Sequence, residues 1–412
     1  MAQHPDTSLS GTLVPFLPAP IASAADRGAD ISSEIHEYHV PDAAAEALDR
    51  LYGSLYASCR HLQLCEPGAV HPHTWLGYRR GEIAGVLLFR IETDRVLVLT
   101  EMFRLDEALA VAFCRSLFAR YPAPHAIVFN AIVMAAPPPL PCQHFAFSEN
   151  YVLALPPSVD AYRAALGKST RKTLRGYRNR LLRDYPRFEW RACSAAELPA
   201  QAQRALVAQL QAFKQESMAA RGKQARIDAQ DTARMLTMAA ESGLFGLGTV
   251  DGRLCAGSLA CRIGDNYVML LSAADPALSD YRLGLLSCYW SICDCIQRAG
   301  RECHLLWGRY QYKEQLLARP QALHFLKIYR SRSRMLGDPA GVITMALRGG
   351  RYRLRHWWLN ELPQRRDLLS RALAGGVACL RRWKEASRRS DELVRSKNFL
   401  SGIFQRICFH RT

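Results

Sequence analysis

The sequence predicts an α/β protein of two similar halves, each a mixed, mainly antiparallel sheet flanked by helices, with a basic helical extension at the C-terminus. Three observations predict it. The order helix, three-strand meander, helix, strand is legible twice. Short turn dipeptides (Arg80-Gly81, Thr93-Asp94, Asp251-Gly252, Gly264-Asp265) separate apolar runs of strand length, which is the pattern of hairpins. The net charge of +17 is localised: residues 330–412 carry +13 and residues 168–191 carry +7, leaving −3 for the rest of the chain.

Residues 42–60 have helical spacing, with Ala44, Leu48, Leu51 and Leu55 on one face. Residues 74–78, 83–91 and 95–102 read as a strand meander, 106–121 as an apolar-rich helix and 127–133 as a strand. Pro137, Pro138 and Pro139 then interrupt both ladder and helix, because proline lacks the N–H that each requires. Beyond them, 151–155 reads as a strand, Ser158 as a helix cap, 168–185 as a basic helix and 188–193 as a strand. Residues 197–220 and 228–241 read as helices, the second closed by Ser242-Gly243. Strands are expected at 244–250, 254–263 and 267–273, a helix at 285–298, and a buried strand at 304–307.

The C-terminal part differs. Residues 364–382 pattern as an amphipathic helix, with Leu368, Leu369, Leu373, Val377 and Leu380 opposite Arg365, Arg366, Arg371, Arg381 and Arg382. The expected organisation is a disordered lead over 1–34, a first α/β unit over 35–145, a second over 146–335 and a basic tail over 336–412.

Composition narrows the function. Hydrophobic residues make up 49% of the chain, enough for a sizeable core, and no run of eighteen apolar residues suggests a spanning helix. The first residues lack the charged and apolar regions of a secretory leader, so a cytoplasmic protein is expected, membrane-peripheral if the basic tail binds lipid. The 13 cysteines are scattered, and Cys293-Asp294-Cys295 has neither zinc nor thioredoxin-like spacing; reduced, buried thiols and no metal are expected.

Chemistry concentrates in residues 281–313. Tyr281-Arg282-Leu283-Gly284 places a glycine at the start of a helix, where backbone N–H groups can hold phosphate. Gly308-Arg309-Tyr310-Gln311-Tyr312-Lys313 places two phenols and an amine just past a strand. Together with Ser169-Thr170-Arg171-Lys172-Thr173-Leu174-Arg175, these segments resemble the GNAT-superfamily acyltransferases of the cellulose-biosynthesis CelD-like branch, with a FemAB-like tandem layout. Tyr281 stands where that superfamily usually has Gln or Arg, and Leu286 where it commonly has a small residue.

The resemblance implies acyl-CoA (acetyl-CoA) as co-substrate, held by Ser272, Ala273, Arg282, Leu283, Gly284 and Leu285. It implies Tyr310, Tyr312 and Glu216 as acid–base groups, although Glu216 equally reads as part of a solvated helix face and the tyrosines as packed rings. It places Arg171, Lys172, Arg175 and Lys313 at the substrate. Phe103-Arg104-Leu105-Asp106 occupies the place of the glycine turn in the first half, which is expected to be a degenerate copy. The acceptor implied is an amine or hydroxyl on a small molecule or glycan, in cell-surface polysaccharide or glycan biosynthesis. Two alternatives remain: transfer from aminoacyl-tRNA, which the basic regions would serve, and a non-catalytic protein on an anionic membrane surface.

Overall fold

The computed structural model describes residues 31–65, 71–220 and 229–356. The lead through residue 30 and the amphipathic pattern at 364–382 lie outside the described residues. In chain order the first half comprises β1 (Ser32–His36), α1 (Asp42–Tyr52), α2 (Cys59–Cys65), β2 (His73–Arg79), β3 (Glu82–Ile91), β4 (Arg95–Val98), α3 (Glu107–Arg120), β5 (Ala126–Ile132) and β6 (Cys142–Ala154). Two helices follow, α4 (Val159–Ala165) and α5 (Lys168–Asp184). The second half repeats the pattern with β7 (Phe188–Ser194), α6 (Ala200–Ala219), α7 (Ala229–Ser242), β8 (Gly243–Val250), β9 (Arg253–Ile263), β10 (Asn266–Ala274), α8 (Leu283–Gln297), β11 (Glu302–His304), α9 (Gln311–Gln315) and β12 (Arg319–Tyr329). The chain continues into α10 (Arg332–Leu336) and α11 (Pro339–His356).

All the strands form one sheet in the order β1-β2-β3-β4-β5-β12-β6-β11-β10-β9-β8-β7. Exchanging each strand of the first half for its counterpart in the second leaves this order unchanged, so the duplication is a pseudo-twofold symmetry of the sheet. The symmetry is made by exchange. β12 of the second half pairs antiparallel with β5 of the first, β6 of the first pairs with β11 of the second, and β6 and β12 pair with each other at the centre. The proline segment therefore separates β5 from β6 in the chain without dividing the sheet.

Local chemistry repeats as well. The β2–β3 and β8–β9 hairpins turn at Arg80-Gly81 and Asp251-Gly252, both residues of each pair at positive φ, the turn whose twist matches that of paired strands. The helix expected over 42–60 stops at Tyr52. Gly53 takes a φ of 50°, its N–H closes on the Asp49 carbonyl, and a Cβ there would strike the Asn266 side chain, whose Nδ2 donates to the Gly53 carbonyl. α7 passes directly into β8 at Gly243 with no left-handed cap.

Helices cover both faces. α8, α4 and α5 pack one face of the second half through Leu286, Ile292, Tyr162, Leu174 and Leu181, as α3 does in the first half through Leu109, Phe113 and Leu117. α6 and α7 cover the opposite face with Val207, Leu210 and Ala239, and α1 does so with Ala44 and Leu48. Each fully buried aliphatic or aromatic side chain contributes about 1.5–3 kcal/mol, so these layers hold the frame. Among the described residues the cysteines are free thiols, most of them buried.

Several strands differ from the sequence reading, among them β4, which stops at Val98 short of the expected 102. β1 and β12 were not legible, and β6 extends nine residues further toward the N-terminus than 151–155 suggested. β12 begins Arg319-Pro320-Gln321 and carries Lys327, which disguise a central strand; Lys327 is tolerated because its Nζ donates to Asp338 at 2.7 Å. In β6 two polar residues find partners too, Gln143 with Tyr329 and the Val342 carbonyl, and the Asn150 amide nitrogen with His304. The strand expected at 304–307 is β11, which ends at His304, and that shift shapes the site.

Candidate active site

β10 pairs along most of its length with β9, but with its other neighbour, β11, only at Asn266, Tyr267 and Val268. A β-bulge between Met269 and Leu271 follows at once. Bulges bend a strand and increase its twist, so β10 swings away. The other arm goes elsewhere: the Leu305 N–H donates to the Tyr151 carbonyl at 2.7 Å, and the Tyr151 N–H to the Leu306 carbonyl at 3.1 Å. The two arms form a V with its vertex at Val268 and His304. Along the β10 arm, the Asp275 N–H donates to the Cys255 carbonyl. Antiparallel ladders alternate, so the N–H groups of Ala273 and Leu271 also turn toward β9, and those of Ser272 and Ala274 turn toward the open side. Of the two acyl-CoA candidates on β10, Ser272 thus faces the V, while Ala273 serves the ladder and buries its methyl among the α6 residues.

The β10 arm leads through a 3₁₀ turn, Pro276–Tyr281, to α8. Arg282 is the N-cap at φ 50°, exposed, and no side chain caps the helix. The Leu285 and Leu286 N–H groups fold back on the Arg282 carbonyl, leaving those of Leu283 and Gly284 directed outward from the helix end. Gly284 is exposed, and a Cβ built there meets nothing within 4 Å. The two departures from the resembled motif have structural uses. The Tyr281 hydroxyl donates to Asp184 at 3.0 Å, under the Arg180 guanidinium, and ties the turn to the end of α5. Leu286 is buried in the α8 core.

The other arm ends in a strained turn, with Leu306 at φ 56° and Gly308 at φ 91°. Lys313, only 2% exposed, holds it: Nζ donates to the carbonyls of Leu306 at 3.0 Å and Trp307 at 2.8 Å and lies over the Tyr151 ring. Burial pushes its ammonium down to about 8, against the opposing pull of Cys288 and Glu149. Tyr310, 48% exposed, stacks on the half-buried Tyr312, whose phenol burial holds well above its ordinary pKa. Replacing Lys313 with Met should cost about 2–4 kcal/mol in denaturant unfolding, since two carbonyls lose their donor. The pH dependence has a defined sign. Between about 8 and the ordinary value of 10.5 the unfolded lysine holds a proton that the folded one has lost. The stability of the natural protein relative to Lys313→Met should therefore rise with pH across that window, as measured by paired denaturant titrations.

The remaining candidates sit on the helices α5 and α6. Glu216 is exposed on α6 with no side-chain hydrogen bond among the described residues. Arg171 is a structural clip: its Nη1 donates to the carbonyls of Ala164 at 2.7 Å and Leu166 at 2.8 Å, closing the end of α4. Lys172 and Arg175 project from α5 into solvent. Arg171→Ala should lower stability by about 1 kcal/mol, the loss typical of such hydrogen bonds, whereas Lys172→Ala should leave the melting temperature unchanged.

Sequence reasoning missed a polar clamp at the vertex of the V. His304, buried, sits between Asn150 at 3.1 Å and Glu302 at 3.2 Å, and this contact with the imidazole is the main reason the Glu302 carboxyl lies below its usual pKa. The alternation of Glu302 and His304 on one strand face was the available signal. The bulge at Leu270 had none.

Residues 168–314 match the family model described as an acetyltransferase (GNAT) domain. This stretch is similar to GNAT acetyltransferase domains. Among solved structures, FemX is similar at 12% identity and a TM-score of 0.50, over 71% of this chain and 96% of FemX. L-PGS from Bacillus licheniformis matches at 10% identity and a TM-score of 0.38, over 64% and 85% of the two chains. A tandem GNAT protein from the clavulanic acid biosynthesis pathway matches at 8% identity and a TM-score of 0.35, over 72% and 98%. At 12% identity the likeness to FemX is one of fold. No curated protein matches in sequence. The stretch similar to a GNAT domain holds the open V, and the corresponding place in the first half is zipped shut. There the Met102 N–H donates to the Ala131 carbonyl, Val133 to Phe103, and Leu105 to Val133, while the Phe103 and Leu105 side chains are buried.

Proposed function

We propose that the second half transfers an acyl group from acyl-CoA to an amine or hydroxyl, with the donor lying in the V between β10 and β11. One observation carries the reading: a strand unpaired on one side beyond Val268 runs into a long helix whose first N–H groups are uncapped. The residues fit the donor. Leu283, Gly284 and Leu285 form a helix start that a pyrophosphate can approach without meeting a side chain at Gly284, and Arg282 adds a fixed charge. The Ser272 N–H, aimed into the V, would donate to the thioester carbonyl oxygen as negative charge develops on it. The thioester supplies the activated acyl group. The acceptor attacks it directly in a ternary complex, and Tyr310, the exposed phenol of the stacked pair, protonates the departing thiolate. Lys313 acts by holding the turn that carries Tyr310. Glu216 is left without a positioned role, and the acceptor gives up its proton to solvent.

The test is release of free thiol from acetyl-CoA in the presence of amino-sugar and polyamine acceptors, followed by intact mass of the protein. Acceptor-dependent thiol release with no added mass supports direct transfer; a stable acyl adduct on the protein overturns it. A place in cell-surface polysaccharide or glycan synthesis follows from the resemblance of the motifs at 169–175 and 281–313. The degenerate character of 35–145 is part of the same proposal, supported by the zipped backbone at Met102–Leu105.

A second reading has its own support. Lys168, Lys172, Arg175 and Arg178 are exposed on α5 with no acidic partner among the described residues, and α5 is tied to the start of α8 through Asp184 and Tyr281. Such a stripe beside the donor phosphates would suit aminoacyl-tRNA. Filter binding of tRNA across a salt series decides this: an affinity falling steeply with salt, and less steeply after Lys172→Ala and Arg175→Ala, favours it.

A further inference from the structure

α11 docks on the centre of the sheet by one face only. Gly349 lies against the Phe145 ring, the Gln143 amide donates to the Val342 carbonyl at 2.9 Å, and the Tyr352 hydroxyl donates to the Ser148 carbonyl at 3.4 Å. Asp338 anchors the helix start through Lys327 and Tyr329. The opposite face carries Ile343, Leu347 and Leu354, spaced at i, i+4 and i+11, which are 59%, 62% and 62% exposed; Leu336 of α10, before it, is 80% exposed. Together with Tyr38 and Tyr310 these are the exposed large hydrophobic residues among those described, so four of the six are gathered on this helical segment.

The flanks of the stripe have one sign. Exposed Arg348 and Arg351 lie on one side and Arg353 on the other, and Pro339–His356 contains no Asp or Glu. A soluble helix face ordinarily mixes charges, and a contiguous apolar stripe left in water marks an interaction surface. We propose that the outer face of α11 lies on an anionic lipid bilayer, with Ile343, Leu347 and Leu354 entering the acyl boundary and Arg348, Arg351 and Arg353 at the phosphates. The docking is in-plane, since no described helix is long and apolar enough to cross a membrane.

Charge selects this occupant over the others. Residues 357–412, which follow directly, carry 12 Lys and Arg against 5 Asp and Glu, so folding them onto the stripe would set like charges against Arg348, Arg351 and Arg353. A second copy would do the same, because a twofold contact brings identical arginines together. An anionic leaflet attracts all of them, and each basic residue near it adds to the binding.

The test uses the full chain with vesicles of phosphatidylcholine containing phosphatidylglycerol, and with phosphatidylcholine alone. Binding to the anionic vesicles is expected, falling at least tenfold for Ile343→Glu/Leu347→Glu/Leu354→Glu and at least threefold for Arg348→Gln/Arg351→Gln. These positions are exposed, so unchanged melting curves and unchanged acetyl-CoA affinity should accompany the loss. Equal vesicle binding by the natural protein and the triple variant overturns the proposal, because residues 357–412 would then bind alone. A dimer in light scattering that the triple variant dissociates, with no vesicle binding, overturns it in favour of a second copy. Neither outcome bears on acyl transfer, which is read separately by thiol release.

Discussion

Replacing Ser272 with Pro should lower kcat for acyl transfer by about 10²–10³, or roughly 3–4 kcal/mol, while leaving the protein folded. The expectation rests on strand parity. The Ser272 N–H faces the open side of the V, so proline there removes a donor that no ladder bond uses, and its ring sits where β11 has already departed. Leu271 before it is already extended, as a residue preceding proline prefers. Ala273→Pro is the control. It removes a bond to Gly257 within the sheet and should lower the melting temperature markedly. Steady-state kinetics beside thermal melts separate the two. A Ser272→Pro enzyme with full kcat would show that the carbonyl is held elsewhere.

Gly284→Trp should weaken acetyl-CoA binding at least tenfold, about 1.4 kcal/mol or more, without loss of stability. The Cβ has open space around it, and tryptophan favours a helix more than glycine does, so the fold has no reason to object. The indole would stand over the N–H groups of Leu283 and Gly284, where the phosphates are placed. Isothermal titration of the variant with CoA measures this, and unchanged affinity would remove α8 from the donor site.

Much of this was legible because it rests on local rules. The glycine turn at Gly284, the hairpins at Arg80-Gly81 and Asp251-Gly252, and the repeated element order come from residue types with strong conformational preferences. What was not legible is non-local. β12 is disguised by Arg319-Pro320-Gln321 at its start and by Lys327 near its end, which finds Asp338 eleven residues away, and its pairing with β5 crosses between halves. The vertex of the V is set by where β11 ends and by a bulge at Leu270, neither of which leaves a composition signal. Residue roles were blurred for a related reason. Arg171 and Lys313 match a family motif, yet both spend their hydrogen bonds on backbone carbonyls that only the folded chain brings to them. Tyr281 looked like a departure and is a tie to Asp184. In the zipped first half Phe103 and Leu105 are buried, and the backbone of Met102–Leu105 bonds to Ala131 and Val133.

The donor is expected to occupy the open V of the second half. Amide hydrogen exchange with and without acetyl-CoA tests it most directly. Protection is expected at Ser272, Ala274, Leu283 and Gly284, with Met102–Leu105 of the first half unchanged. Binding of acetyl-CoA that leaves those four amides exchanging as before would contradict it.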